Sequence, residues 1–335
     1  MKYSGIGGQA VIEGIMMQNG ENYAVAVRKP DGEIEVKKDT YRSVTKKYPF
    51  LGIPFIRGVF KFADSMIVGM RALTWSCSFF EDDEDAEPGK FEQFLDRVFG
   101  EKLESAIMAA VLVISFILAI GIFMLLPLGI ANLFKGVITS DHLMAVLEGV
   151  IRIAIFIIYI KLVSRMEDIR RTFMYHGAEH KCINCVEHGH PLTVKYVRES
   201  SKEHKRCGTS FILIVMVISI LMFMVIRVDT IWMRILSRII LVPVIAGISY
   251  EVLQCAGRSN SKFMDLVSRP GMWMQGLTTT EPDDSMIEVG IASVEAVFDW
   301  KAYLTEEFGA EQLGDKHDVS GSKSIRRKEA GTVTD

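Results

Sequence analysis

Net charge is almost absent from this sequence. Its 38 lysines and arginines face 41 aspartates and glutamates, which leaves a formal charge of −3. No bulk attraction to nucleic acid follows from that balance. Cysteine is scarce and odd in number: Cys77, Cys182, Cys185, Cys207 and Cys255. Five cysteines on flanks that read as cytoplasmic predict free thiols and argue against a disulfide framework. Met1-Lys2 is not followed by an apolar stretch, so no cleaved signal peptide is expected. No internal repeat is visible.

Hydrophobicity is what the chain has in excess. Residues of the apolar set make up 49% of the 335, and the mean hydropathy is +0.24. The apolar residues are bunched into runs long enough to cross a bilayer. Four such segments are expected: Ala106–Leu126, Leu143–Val163, Phe211–Ile226 and Ile231–Val252. The second carries Glu148 and Arg152 four residues apart, a spacing that pairs them on one helix face. The fourth contains Pro243 and Gly247, which predict a kinked helix packed on neighbours. The Arg165–Ser210 loop is rich in lysine and arginine, whereas the turns near Lys135 and Arg227 are poor in them. Positive charge therefore places that loop, and both termini, in the cytoplasm.

Outside the spans, Tyr23–Lys29 and Glu33–Lys37 alternate around Pro30-Asp31-Gly32, a β-hairpin signal. Gly5, Gly7, Gly8 and Gly14 bracket the Gln9–Glu13 stretch and allow tight turns and close backbone approach. Residues 53–76 place apolar side chains at helical spacing, interrupted by Arg57, Lys61, Asp64 and Arg71, and read as an amphipathic helix on or dipping into the membrane surface. Glu81–Gly89 is a solvated acidic linker, Phe91–Leu103 a short amphipathic helix, and residues 311–335 a disordered tail. Ser285-Met286-Ile287-Glu288 reads as a capping box opening a helix of about twenty residues.

The chemistry concentrates at Tyr175-His176-Gly177-Ala178-Glu179-His180-Lys181, placed by the hydropathy at the end of an apolar helix. His176 and His180 share one helix face and can hold one metal ion, zinc by preference, with Glu179 as proton acceptor. The order is that of the inverted zincin motif. The competing reading is a polar helix end whose histidines only hydrogen-bond. A catalytic zinc needs a third protein ligand. His204 is the first choice and Glu281 the second, with Glu251 as a rival. Cys207, Gln9, Glu13, Asp283 and Asp284 are further pocket residues, although Asp283 and Asp284 also suit a helix N-terminus. Cys182 and Cys185, with His188 and His190 close behind, would make a cramped second zinc site; they read better as small residues on a continuing helix.

Four stretches together carry a resemblance: Gly8–Met17, Tyr175–Lys181, His204–Phe211 and Leu277–Asp284. They resemble the YqhQ-like family of bacterial membrane proteins, a domain of unknown function that carries the label of a predicted metal-dependent enzyme. The resemblance extends over about residues 3–310. Cys182 and Cys185 do not belong to its motif.

The expected architecture is a mainly α membrane protein with four transmembrane helices, an amphipathic surface helix and a cytoplasmic α+β part. Its divisions are 1–105 (hairpin and surface helix), 106–164 (first transmembrane hairpin), 165–210 (His-x-x-Glu-His loop), 211–252 (second transmembrane hairpin), 253–310 (C-terminal region) and the 311–335 tail. The expected function is a metal-dependent hydrolase at the cytoplasmic face of the bacterial inner membrane. A lipid-like membrane substrate, no nucleic acid and a homo-oligomer go with it. The alternative is a non-enzymatic membrane protein with a transport, scaffold or assembly role.

Overall fold

A computed structural model of the chain describes residues 2–80, 103–226, 230–258 and 261–309. The acidic linker, most of the short helix after it and the C-terminal tail lie outside the described residues. The described residues form two compact units, one drawn from 2–80, 161–218 and 230–309, the other from 103–160 and 219–226.

The first unit is built on a four-stranded antiparallel sheet with strands in sequence order: β1 (Ile6–Val11), β2 (Gly14–Asn19), β3 (Asn22–Arg28) and β4 (Ile34–Thr40). β3 and β4 are the expected hairpin, with Val25 opposite Lys37 and Gly32 at φ 85° in the turn. β1 and β2 replace the glycine turns expected around Gln9–Glu13. Gly14 is required there, because a Cβ would meet the Ala26 carbonyl oxygen of β3 at 2.4 Å.

Alternation along β2 and β3 sends side chains to both faces of the sheet. Ile15, Met17 and Ala26 enter one core, while Met16, Tyr23, Val25 and Val27 enter another. The second core is closed by α2 (Ile56–Cys77; α1 is Val44–Lys47), through Val68 and Ala72.

The second unit holds α3 (Leu103–Ile120), a π turn at Gly121–Leu125, α4 (Leu126–Asn132) and most of α5 (Asp141–Val163). Arg152 pairs with Glu148 at 2.7 Å, as the i,i+4 spacing implied, and donates to Ser219 at 3.2 Å.

The remaining helices are α6 (Glu167–Glu187), α7 (Val194–Glu199), α8 (Gly208–Val225), α9 (Ile231–Arg258), α10 (Lys262–Thr278), α11 (Asp284–Val297) and α12 (Trp300–Phe308). Among the described residues, four stretches are long and apolar enough to cross a membrane: Val113–Asn132, Asp141–Val163, Gly208–Val225 and Ile239–Gly257. The first runs on to Asn132 because the helix continues through the π turn instead of ending near Leu126.

Three local expectations are corrected. The His176–His180 motif does not end an apolar helix. A break with Met166 in extended conformation starts a separate polar helix, α6, and the motif sits in its middle. Asp283, not Ser285, caps α11, accepting from the Met286 amide at 3.0 Å. The following helix is not one of about twenty residues but two, split between Val297 and Trp300. α6, α11 and α12 cover the first sheet face, where Tyr175, Ala178, Cys182, Ile183, Ile287 and Leu304 are buried with Ile15 and Met17. Cys182 and Cys185 are core residues of α6, as read from the sequence.

Candidate metal centre

α6 carries a polar face beside its core face. His180, Lys181 and Asn184 all reach the segment between α7 and α8 through its backbone carbonyls. His180 Nδ1 lies 2.6 Å from the Lys202 oxygen. Lys181 Nζ donates to the Arg198 and Ser200 oxygens at 2.8 and 2.9 Å. Asn184 Nδ2 donates to those of Ser201 and Glu203 at 2.7 and 2.8 Å. Gln275 of α10 pins the same segment further on: it accepts from the His204 amide at 2.8 Å and donates to the His204 carbonyl at 2.7 Å and the Ser210 hydroxyl at 2.8 Å. A loop held this way delivers Cys207 to α6.

His176 Nε2 lies 3.2 Å from Cys207 Sγ. Its Nδ1 lies 3.0 Å from the Thr278 carbonyl oxygen at the end of α10. A carbonyl accepts only, so Nδ1 carries the proton in both His176 and His180, and Nε2 is the nitrogen left with a lone pair. The two rings are 4.4 Å apart. One ligand atom each from His176, His180 and Cys207 lies within 4.8 Å of the others. Backbone carbonyls behind the imidazoles are the usual device for orienting metal-binding histidines.

The chain approaches this centre closely in two places. A Cβ on Gly177 would meet the Thr280 carbonyl oxygen at 2.1 Å, and one on Gly8 would meet the Glu179 side chain at 3.0 Å and the Met16 carbonyl oxygen at 2.6 Å. Thr280 is held there by its amide, which donates to the Phe173 oxygen at 2.9 Å. Glu179 is 4% exposed. Burial raises its pKa to about 7, against the pull of His176 and the Gly8 amide. Its Oε2 and the Thr278 hydroxyl are buried without a hydrogen-bond partner among the described residues. The trio itself, two imidazoles and a thiol with one ligand atom each within 4.8 Å of the others, is a donor set that suits a soft divalent cation.

The other sequence candidates fall elsewhere in the same unit. His204 is not in the trio; its Nε2 faces Glu187 Oε2 at 3.4 Å in a buried cluster with Arg206. Glu187 also accepts from the Ser4 amide and hydroxyl at 2.9 and 2.7 Å. Glu281 pairs with Lys181 at 2.5 Å. Glu13 is clamped by Arg171 at 2.5 and 2.6 Å and accepts from Tyr175 at 3.1 Å, so it anchors the β1–β2 turn to α6. Asp283 is the α11 cap, and Asp284 pairs with Arg198. Gln9 packs on α2, where a Cβ on Gly69 would meet its Oε1 at 2.2 Å. Glu251 is held by Arg57 at 2.7 and 2.6 Å.

The motif segments of the sequence therefore do meet: Gly8 touches Glu179, and Thr278 and Thr280 touch His176 and Gly177. Sequence reasoning missed the carbonyls of Lys202 and Thr278 and the pin Gln275. The lone Gly177 inside a helical motif signalled that a backbone had to come close there, as the glycines around Gln9–Glu13 did for β1.

A family model described as a protein of unknown function (DUF1385) matches residues 53–300. The chain belongs to that family. It is also 34% identical over 288 residues to the uncharacterized protein YqhQ of Bacillus subtilis (strain 168), covering 86% of this chain and 90% of the relative. No solved structure matches. The family match includes His176, Glu179, His180, Cys207 and Thr278, and names neither an activity nor a metal.

Proposed function

We propose that His176, His180 and Cys207 hold a divalent metal, zinc by the softness of the donor set, and that the protein is a membrane-bound metal-dependent hydrolase. The reading puts this centre at the cytoplasmic face of the bacterial inner membrane, with both termini on that side. One observation carries it: both imidazoles spend Nδ1 on backbone carbonyls, His176 Nε2 lies 3.2 Å from the Cys207 sulfur, and a ligand atom of His180 lies within 4.8 Å of both. Bound there, the metal supplies Lewis acidity and a site for water. Glu179, whose carboxylate accepts from the Gly8 amide, would be the proton acceptor for such a water. Lys202 and Thr278 keep the imidazoles in the metal-binding tautomer. Cys207 lies one residue before the apolar stretch that begins at Gly208, so the centre sits at a membrane boundary, where a lipid-like substrate is at hand.

Elemental analysis of purified protein tests this, combined with hydrolysis of a panel of ester, amide and phosphoester lipids. Stoichiometric metal is expected in the wild type and in Glu179→Gln, with hydrolysis absent from the variant, while His176→Ala loses both. Metal-free wild-type protein would refute the centre. A second reading is favoured by burial. His180 is 1% and Cys207 6% exposed, which is the closure of a structural centre and suits an assembly role without catalysis. Metal retained with no hydrolysis of any panel member, and Glu179→Gln cells indistinguishable from wild type, would select it.

A further inference from the structure

α2 begins with an unusual turn. Phe55 is a non-glycine residue at φ 69°, and its amide donates to Glu251 of α9 at 3.3 Å. Directly after it, a Cβ on Gly58 would meet the Gly247 Cα at 3.0 Å, and one on Gly247 would meet the Phe55 carbonyl oxygen at 2.3 Å. The start of α2 is therefore packed backbone to backbone against Gly247. That glycine lies near the middle of the apolar stretch Ile239–Gly257.

Depth follows from helix rise. Two observations mark the membrane boundary on this side. The apolar stretch of α8 begins at Gly208, and that of α9 ends at Gly257, against which Arg206 packs (a Cβ there would meet its Cγ at 2.4 Å). Gly247 is ten residues along α9 from Gly257, about 15 Å at 1.5 Å per residue, or about half of a ~30 Å hydrocarbon core. Going the other way, Gly69 is eleven residues along α2 from Gly58, about 16 Å, and is back at the boundary, packed on Gln9 of β1. Between them, Phe62 stacks on Phe211 near the start of α8 at 5.3 Å.

The chain before α2 starts from the same boundary. Lys46 pairs with Glu21 of the β2–β3 turn at 3.1 Å, and the Ser43 hydroxyl donates to Asp64 of α2 at 2.6 Å. From there Tyr48-Pro49-Phe50-Leu51-Gly52-Ile53-Pro54-Phe55 contains no charged residue. Phe50, Ile53 and Phe55 are 66, 54 and 55% exposed although nothing polar surrounds them in sequence.

We propose that residues 48–64 form a re-entrant hairpin whose tip, Ile53–Phe55, is immersed in lipid acyl chains near the bilayer midplane. It neither lies on the surface nor spans. Backbone polar groups at that depth need internal partners. The hairpin supplies them: Pro49 and Pro54 have no amide hydrogen, Pro49–Gly52 is a 3-10 turn, the Arg57 amide donates to the Ile53 oxygen at 2.9 Å, and Glu251 takes the Phe55 amide. Of the charges on the hairpin, Arg57 lies nearest the tip and is paired bidentately with that same Glu251, and Lys61, about one turn further along α2, donates to the Ser43 hydroxyl at 3.1 Å. The inference rests on the apolar helices crossing a membrane and not on the metal centre.

The test uses the full chain reconstituted in phosphatidylcholine vesicles, with Cys77→Ser and Cys255→Ser so that only an introduced cysteine labels. Spin labels go on Phe50→Cys and Ile53→Cys, on Val244→Cys as the mid-span reference and on Lys38→Cys as the aqueous reference. Collision with oxygen against a water-soluble nickel chelate is expected to put Phe50 and Ile53 within about one helical turn, about 5 Å, of the Val244 depth. Nickel accessibility matching Lys38, or a depth at the phosphate level, overturns the hairpin. So does modification of Ile53→Cys by an impermeant thiol reagent from the face opposite Lys38, since that is the mark of a span. Resistance from both faces is the expected result.

Discussion

Replacing Gly177 by alanine tests the architecture of the centre most directly. The added methyl would sit 2.1 Å from the Thr280 carbonyl oxygen and 3.3 Å from Pro282 Cδ, against 3.4–4 Å for an ordinary contact. Thr280 cannot retreat by that amount and keep its 2.9 Å bond to the Phe173 oxygen. Losing that bond costs about 1 kcal/mol, and overpacking of this kind costs about 1–3 kcal/mol. Alanine returns about 1 kcal/mol of helix propensity. The net expectation is a destabilisation of about 2 kcal/mol. The same displacement pulls the Thr278 carbonyl from His176 Nδ1, so metal affinity falls as well. The control is Gly276→Ala in α10, where a Cβ meets nothing within 4 Å and propensity alone predicts a gain of up to about 1 kcal/mol. Thermal unfolding in detergent and bound metal per chain are the measurements. If Gly177→Ala is as stable as Gly276→Ala and retains its metal, the packing argument fails.

Acid should weaken the fold through Glu187 and His204. Burial opposes the Glu187 charge, but the His204 N–H and the Arg206 guanidinium overcome it and hold the carboxyl at about 2, below its ordinary 4.5, so its stabilisation is complete above 4.5 and lost as pH falls toward 2. Burial holds His204 at about 4, below its ordinary 6.5, so the unfolded chain binds the proton first and stability also drops between 6.5 and 4. Unfolding curves across that range should show the slope, and in Glu187→Gln the loss between 4.5 and 2 should flatten; an unchanged slope would remove Glu187 from the account. Glu13→Gln should change stability by no more than about 1 kcal/mol, because its Arg171 partner is half exposed, and should leave metal content untouched. Metal loss in that variant would place Glu13 at the centre after all. Thr139→Cys, beside the α4–α5 turn, should label with an impermeant reagent in intact cells while native Cys182 does not; shielding of Thr139→Cys would reverse the proposed orientation.

Periodicity and composition, which are local properties, were enough for part of this protein. Four apolar runs are long enough to cross a membrane, the Tyr23–Lys37 stretch is a hairpin by alternation and its Asp-Gly turn, and His176 and His180 share a face because helix geometry puts residues four apart together. β1 and β2 were hidden because glycines erase the alternation that marks a strand; Gly8 and Gly14 are glycines because Glu179, the β2 backbone and the β3 backbone come too close for a side chain. The third member of the trio was equally out of reach. His204 and Cys207 are three residues apart, and which of them meets His176 depends on how Lys181, Asn184 and Gln275 hold the intervening carbonyls and amides. The depth of α2 was also ambiguous in its mixed apolar and charged pattern. It is decided by one close backbone crossing at Gly58 and Gly247, a contact between residues 189 positions apart that no local pattern can encode.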